Sequence, residues 1–235
     1  MLTTPPAVLI FDVNETLSDL TPLSSRFEAI GLDARDREAW FAGVLRDGFA
    51  LTAAGGYADF ADLAADGVRA LALARGITAS DDDIAHVLAG FGALDVHADV
   101  APGMHALRES GIRLATMTNG SVAVTAALLG RAGVQGAVEL MLDVRGPRAW
   151  KPAAAAYRHA VEAMGVAPAQ AALVAVHPWD VDGAMRAGLQ GIWVRRGVPL
   201  AAYPRSMRAP TLVVDDLLHL ATALAAETGD PASGT

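Results

Sequence analysis

Four groups of polar residues in the sequence could carry out chemistry, and each follows a short apolar run. The first run, Ala7–Phe11, ends at Asp12, whose carboxylate can act as a nucleophile. The backbone amides of Val13 and Asn14 turn around that carboxylate. An aspartate after a strand also occurs in simple turns, so this motif alone leaves both interpretations open.

The second group precedes the start of a predicted helix, and the third group contains a lysine. Thr118 and Asn119 precede a predicted helix, where free N–H groups bind anions, although these residues can also serve only as a helix cap. Lys151 stands before another predicted helix, with Tyr157 two turns further on. It is the only lysine among 18 basic residues, so an ordinary surface role is less expected for it.

The fourth group consists of His177, Trp179 and Asp180, and it follows the apolar run Ala172–Val176. Histidine titrates near neutral pH, so His177 is a candidate general base, and the alternative is an ordinary loop histidine. Asp180 is a candidate for ordering other site groups. Its alternative is a purely structural role, because aspartate is favoured near helix N-termini.

The elements that carry these groups alternate between two patterns. Short apolar runs predict six strands, at Ala7–Phe11, Leu114–Thr118, Val138–Val144, Ala172–Val176, Gly191–Val194 and Thr211–Val214. Helical patterns lie between or after them, at Val122–Ala132, Ala153–Met164, Val181–Ala187 and Leu217–Ala226. This alternation predicts an α/β fold with a Rossmann-like parallel sheet and helices on both faces. The carboxyl ends of the strands then bring the four groups to one edge.

Residues 18–97 interrupt this alternation, because they contain helical periodicity and no strand pattern. Five apolar residues there fall on one helical face: Trp40, Phe41, Val44, Leu45 and Phe49. We therefore predict a helical cap at 18–97, inserted after the first strand, and a catalytic core made of residues 1–17 and 98–228. Residues 229–235 are small and polar and are predicted to be a disordered tail.

Composition narrows the classes of partner. The net charge of −8 excludes the basic footprint of a nucleic-acid-binding protein, and no polybasic segment for anionic membranes is present. The sequence has no cysteine, so disulfides and thiolate metal sites are excluded. No secretion signal or membrane-spanning run is recognisable, which makes the cytoplasm the expected location. A small molecule is the expected partner, and the apolar cap makes a homodimer a candidate assembly.

The order and spacing of the four groups resemble the haloacid dehalogenase-like hydrolases, and among them the type II (S)-2-haloacid dehalogenases. The resemblance covers nearly the whole chain. It implies that Asp12 is the nucleophile, that Thr16 supports it, that Lys151 orients it, and that Asp180 orders the lysine and the hydrolytic water. It also implies a substrate site formed by Val13, Asn14, Phe41, Leu45, Phe60, Thr118, Asn119, Tyr157 and Trp179.

Three departures from the dehalogenase pattern concern Asn14, where those enzymes carry a tyrosine, Phe41, and the pair Ala175 and His177. Phosphatases of the superfamily carry a second aspartate where this chain has Asn14, and an amide cannot act as a general acid. They also place a magnesium-binding aspartate where this chain has Val176, which has no side-chain oxygen. Phe41 replaces the arginine that grips the leaving halide, and Arg37, one helical turn earlier, is a candidate substitute. Ala175 and His177 replace a serine and an asparagine of the fourth motif.

The resemblance therefore implies a hydrolytic dehalogenase that needs no metal or cofactor. Asp12 displaces the halide of an (S)-2-haloacid, and water hydrolyses the resulting aspartyl ester to give an (R)-2-hydroxyacid. Asp180, with His177, is predicted to activate the water. The alternatives are a phosphatase or another hydrolase of the same superfamily that acts on a small acid metabolite, and a non-catalytic protein that retains the fold.

Overall fold

Six short strands form one parallel sheet in the protein, for which we describe residues 4–228 of a computed structural model. The strands are β1 (Val8–Phe11), β2 (Arg113–Thr118), β3 (Leu140–Asp143), β4 (Ala171–Ala175), β5 (Gln190–Val194) and β6 (Leu212–Val214). Their order across the sheet is β3-β2-β1-β4-β5-β6, and every pairing is parallel. This is the doubly wound order, in which a ligand site lies beyond the carboxyl ends of the strands.

The sheet is central because its strands are apolar on both sides. Every residue of β1, β4 and β5 is buried, as expected for parallel strands covered by helices on both faces. β1 lies between β2 and β4, so the residue after Phe11 emerges in the middle of the carboxyl edge. The predicted Rossmann-like α/β fold is confirmed.

Nine α-helices occur within residues 4–228. They are α1 (Ser24–Ala29), α2 (Asp36–Ala53), α3 (Phe60–Ala74), α4 (Asp81–Ala89), α5 (Val100–Glu109), α6 (Val122–Arg131), α7 (Ala154–Ala163), α8 (Pro178–Arg186) and α9 (Leu217–Thr228). α5 packs against α9, and α7 packs against α8. α5 was not among the predicted helices. α8 begins at Pro178 rather than at Val181, which places Asp180 in its first turn.

The helices α1 to α4 lie in the segment that interrupts the alternation. The chain leaves and re-enters the core through two adjacent stretches, where the Asp19 amide donates to the Asp95 carbonyl and the His97 amide donates to the Leu17 carbonyl. Ser18 and Val96 form an antiparallel bridge between the same stretches. These two stretches, residues 17–19 and 95–97, lie at the predicted boundaries of the cap. Their pairing supports the division into two domains, which stays a prediction.

Aromatic rings fill the interior of the helical segment. Trp40 lies 5.3 Å from Phe27, 6.3 Å from Phe41 and 6.0 Å from Phe91, measured between ring centroids. The indole N–H of Trp40 donates to the Ala64 carbonyl, which fixes α2 against α3. The predicted apolar face of α2 is therefore packed, with Trp40, Phe41 and Val44 buried.

Two further sequence predictions concern membrane-spanning segments and the C-terminal residues. No helix within residues 4–228 is long and apolar enough to cross a membrane. The predicted disordered tail, residues 229–235, lies outside the described residues.

Candidate active site

The polar groups predicted from the sequence meet at the carboxyl edge of the sheet. Asp12 follows β1, and Thr118 ends β2. Lys151 lies between β3 and α7, and His177 lies between β4 and α8. Because β2, β1 and β4 are neighbours in the sheet, their ends lie next to each other, and the side chains beyond them can interact.

A buried ammonium joins two carboxylates at this edge. Lys151 Nζ donates to Asp12 Oδ1 at 2.8 Å and to Asp180 Oδ2 at 2.7 Å. Lys151 and Asp180 are fully buried, and Asp12 is 4% exposed. Charges this far from water persist only when paired and hydrogen-bonded, so the three residues form one electrostatic unit.

This unit shifts the acidity of its members in different directions. Burial alone raises the pKa of Asp12, but the charge of Lys151 and the hydrogen bonds from His177 and Lys151 outweigh it and hold that pKa well below its ordinary value. Burial lowers the pKa of Lys151, yet the two carboxylates raise it overall. Burial raises the pKa of Asp180, and its attraction to Lys151 does not cancel this effect. Asp12 is therefore ionised, and Asp180 is the stronger base.

Tyr157 fixes the second carboxylate. Its hydroxyl donates to Asp180 Oδ1 at 2.5 Å, and burial beside that carboxylate raises the pKa of the phenol well above its ordinary value. The close packing requires a glycine at Gly183. A Cβ there would lie 2.6 Å from Pro152 Cβ and 2.7 Å from the Tyr157 hydroxyl. The α7–α8 contact thus sets the orientation of Asp180.

Thr16 and His177 both contact the other oxygen of the nucleophile. Thr16 Oγ1 donates to Asp12 Oδ2 at 2.7 Å and accepts from the Val176 amide at 3.1 Å. His177 Nδ1 lies 3.2 Å from the same Oδ2, and His177 Nε2 lies 2.9 Å from Glu15 Oε2. Within residues 4–228, Asp12 Oδ2 therefore has two side-chain partners, whereas Oδ1 has one.

The base role of His177 stays a prediction, and the contacts of its ring in the resting site favour the protonated form. Both ring nitrogens lie within hydrogen-bond distance of carboxyl oxygens, and ionised carboxylates only accept hydrogen bonds, which favours a proton on each nitrogen. Burial lowers the pKa of His177, but the hydrogen bonds and charges of Asp12 and Glu15 raise it to about 9. A raised pKa favours the imidazolium at neutral pH, and that form has no lone pair with which to accept a proton. It balances the charge of the site, because Lys151 and His177 together offset Asp12 and Asp180.

Asn119 has a different contact from the one that the sequence suggested. Its side-chain oxygen accepts from the Lys151 amide at 2.9 Å, and its side-chain nitrogen donates to the Lys151 carbonyl at 3.3 Å. The side chain therefore holds the backbone of the lysine, and its predicted substrate contact stays a prediction. Thr118 Oγ1 accepts from the Gly120 amide at 2.9 Å.

A cavity of about 140 Å³ is lined by Val13 and Asn14, which directly follow the nucleophile in sequence, and by Thr118 at the end of β2. This is well below the roughly 300–1,000 Å³ of pockets that hold drug-sized ligands, so it suits a small molecule. Four predicted substrate-binding residues line it: Val13, Asn14, Phe60 and Thr118. The walls are otherwise formed mainly by apolar side chains such as Leu88, Phe91 and Val124.

The other predicted pocket residues lie outside the lining of this cavity in the described structure. Phe41 is buried 6.4 Å from Phe60 and 6.4 Å from His177, between ring centroids. Trp179 stacks on His177 at 5.0 Å and meets Phe49 edge-on at 4.9 Å. Leu45 packs, partly buried, against the core, and Tyr157 serves Asp180. For these residues substrate contact stays a prediction.

Sequence reasoning missed three residues that the fold brings to the site. Glu15 contacts His177, and Arg145 lines the cavity while pairing with Asp59 of the helical segment at 2.8 Å. Arg196 donates to the Thr16 carbonyl at 2.7 Å. Glu15 stood inside the first motif, but nothing in the sequence indicated its partner. No spacing rule pointed to the two arginines.

Arg37 does not take the place of the missing arginine in this arrangement. Its guanidinium donates to Ser24 Oγ at 3.2 Å and to Glu38 Oε1 at 3.1 Å, and lies 4.0 Å from Glu15 Oε1. Its guanidinium is thus hydrogen-bonded to residues of the helical segment, and Arg37 is not among the residues that line the cavity.

The chain is similar to known proteins over most of its length. The sequence profile of the haloacid dehalogenase-like hydrolases matches residues 6–188. The solved structure of the L-2-haloacid dehalogenase RSc1362 is 26% identical, with a TM-score of 0.86, and the match covers 95% of this chain and 100% of that one.

Two curated relatives match shorter regions. Haloacetate dehalogenase H-2 of Moraxella sp. (strain B) is 33% identical over 123 residues, 52% of this chain and 55% of that protein. Phosphoserine phosphatase of Thermus thermophilus is 38% identical over 121 residues, 50% of this chain and 47% of that protein. The match thus spans about half the length of each.

Proposed function

Because the chain belongs to the haloacid dehalogenase-like hydrolases, we propose that it hydrolyses small 2-haloacids to 2-hydroxyacids through an ester on Asp12. The observation that carries this proposal is the state of Asp12. It is a buried carboxylate that Lys151 keeps ionised, and the two residues that follow it, Val13 and Asn14, line a small, mostly apolar cavity. A carboxylate with few water contacts is a more reactive nucleophile toward carbon than a solvated one.

In the first step, Asp12 attacks the carbon that bears the halogen. The C–O bond forms as the C–halogen bond breaks, the halide leaves with the bonding pair, and the carbon inverts. An (S)-2-haloacid therefore gives an ester with the configuration of the (R)-2-hydroxyacid. Thr118 and Arg145, which line the cavity, are the polar groups proposed to hold the substrate carboxylate.

In the second step, water attacks the carboxyl carbon of the Asp12 ester. Asp180 is proposed to take the proton of that water, since burial raises its pKa and Tyr157 and Lys151 hold both its oxygens in place. The hydroxyacid leaves, and Asp12 is regenerated with one oxygen from water. Halide, a proton and the hydroxyacid are the products.

The similarity to a haloacetate dehalogenase and to an L-2-haloacid dehalogenase supports this substrate class. The second candidate is a phosphatase, which the similarity to phosphoserine phosphatase favours. Against it, Asn14 in the cavity wall carries an amide, which cannot protonate a leaving group. We also propose, from the sequence alone, a cytoplasmic location, no nucleic-acid or membrane partner, and a homodimer as the candidate assembly.

Halide release tests the proposal. The purified protein is incubated with chloroacetate, bromoacetate, fluoroacetate and the two enantiomers of 2-chloropropionate, with Asp12→Asn as the inactive control. We expect release from the (S) enantiomer and not from the (R) enantiomer. A single turnover in heavy-oxygen water should place the label in the peptide that contains Asp12.

Two results would contradict the proposal. The first is halide release by Asp12→Asn at the original rate. The second is turnover of a generic phosphate ester with added magnesium, in the absence of any dehalogenation.

A further inference from the structure

We propose that protonated His177 and the hydroxyl of Thr16 form the oxyanion site for hydrolysis of the Asp12 ester, and that Glu15 is the positioning residue that keeps His177 charged. The inference rests on the proposed function, because it assigns a role within the second step. It replaces the general base that the sequence suggested with a cationic hydrogen-bond donor.

The hydrogen bonds of Asp12 decide which oxygen attacks. A carboxylate oxygen has two lone-pair directions. At Oδ2, Thr16 occupies one at 2.7 Å and His177 occupies the other at 3.2 Å. At Oδ1, Lys151 is the only hydrogen-bond donor in the described part of the chain, at 2.8 Å, so Oδ1 retains the free lone pair that forms the bond to the substrate carbon. Oδ2 then becomes the carbonyl oxygen of the ester.

Hydrolysis of that ester builds charge on Oδ2. The oxygen of water bonds to the carboxyl carbon, the carbonyl pair moves onto Oδ2, and Asp180 takes one water proton. The intermediate collapses as the bond from the carboxyl carbon to Oδ1 breaks, and Oδ1 leaves on the hydroxyacid with the proton from Asp180. The second proton of the water passes to solvent, which restores the carboxylate of Asp12. Thr16 and His177 are already within hydrogen-bond distance of Oδ2, where the negative charge develops.

His177 keeps its proton through this step because of Glu15. Esterification removes the charge of Asp12, but Glu15 Oε2 remains 2.9 Å from His177 Nε2. Trp179 stacks on the imidazole ring at 5.0 Å between ring centroids, which limits its contact with water. Charged and titratable groups near this pair in the described structure include Lys151 with Asp180, beyond Asp12, and Arg37, 4.0 Å from the second oxygen of Glu15. Arg196 donates to the Thr16 carbonyl, and His97 contacts the Glu15 carbonyl.

The backbone of Glu15 is an independent observation. Its φ is +62°, a left-handed conformation that glycine adopts freely and that costs other residues roughly 1 kcal/mol. The Glu15 carbonyl lies 3.1 Å from His97 Nε2, which helps to hold this turn. A charged side chain at a position that favours glycine points to a function, and the only side-chain partners of Glu15 in the described structure are His177 and Arg37.

The experiment separates the two chemical steps. Bromoacetate is mixed rapidly with the enzyme, the reaction is quenched, and the intact protein mass gives the rates of ester formation and breakdown over a pH series. In the original enzyme, ester breakdown should slow as pH rises and His177 loses its proton. A neutral general base would produce the opposite slope.

Two variants sharpen the test. In His177→Gln, breakdown should fall by about 10²–10³-fold while formation changes far less, so the ester accumulates. In Glu15→Gln, breakdown should match the original rate at low pH and decline at a lower pH than in the original enzyme. Glu15→Gly, which relieves the turn, should show the same displaced pH profile with no loss of stability.

Three results would overturn the inference. They are breakdown that accelerates with pH, equal slowing of both steps in His177→Gln, and an unchanged pH profile in both Glu15 variants. If no haloacid forms an ester, the proposed function fails instead. In that case, nitrogen NMR of His177 still tests its proposed protonation. A neutral imidazole at neutral pH would contradict the role of His177 as a cationic hydrogen-bond donor.

Discussion

The buried lysine gives the most direct test of the site's electrostatics. In Lys151→Met a side chain of similar length loses its ammonium, and the carboxylates of Asp12 and Asp180 lose their shared partner. Breaking a buried pair in this way costs about 3–5 kcal/mol of unfolding free energy. For a chain of this size that is a fall in Tm of about 6–20 °C. His177 still neutralises Asp12, so Asp180 carries the uncompensated charge.

The cost should depend on pH in a defined direction. Without Lys151, the pKa of Asp180 rises further above its unfolded value, so its ionised form destabilises the fold as pH rises through that folded pKa. The difference in unfolding free energy between variant and original should therefore be smaller at about pH 5 than at about pH 8, and each further unit of elevation adds about 1.4 kcal/mol. Urea unfolding followed by circular dichroism measures both values.

A double variant supplies the control. Lys151→Met with Asp180→Asn removes the stranded charge together with the cation, and it should recover a large part of the lost stability, with a coupling on the order of 1–3 kcal/mol. The reasoning is refuted if Lys151→Met unfolds like the original protein, or if its deficit is the same at both pH values. Activity does not enter this measurement, so it is independent of the substrate.

Three further predictions concern other contacts of the site. Tyr157→Phe leaves Asp180 Oδ1 without its donor and should lower stability by about 1–3 kcal/mol, measured by urea unfolding, and slow ester breakdown more than ester formation. Gly48→Ala places a Cβ 2.3 Å from the Trp150 ring and should cost about 1–3 kcal/mol, while Gly43→Ala, which meets only the end of an arginine side chain, is the matched control. Arg145→Met should raise KM for haloacids at least several-fold with a smaller change in kcat, and an unchanged KM would remove Arg145 from the substrate site.

The strands were predictable because each is a short apolar run bounded by polar residues, and all six lie where the sequence placed them, with small differences at the ends. α5 was missed because Pro102 and Gly103 interrupt its helical pattern. Gly103 is required there by tertiary packing, since a Cβ would lie 2.6 Å from Leu217 Cβ of α9. A sequence pattern cannot reveal such a close approach of two distant helices.

The candidate active site likewise contains some contacts that the sequence predicted and others that it did not. Asp12, Lys151 and Asp180 could be placed together because each follows a strand or opens a helix at the same edge. The contact between Glu15 and His177 could not, because it depends on a left-handed turn and joins residues 162 positions apart. The raised pKa of His177 depends on that contact, so the sequence alone indicated a base and not the cation that we propose.

Trp150 has a consequence for how this enzyme can be rebuilt. It directly precedes the buried lysine, yet its amide donates to Thr52 Oγ1 and its indole N–H donates to the Ala58 carbonyl, both at 3.0 Å and both in the inserted segment. The face of its ring lies against Gly48. If the core were joined to the helical cap of another protein, the Trp150 indole, one residue from Lys151, would lose these contacts. We therefore expect that a chimera keeps the position of Lys151 only if the helical cap and the Trp150–Lys151 segment come from the same protein.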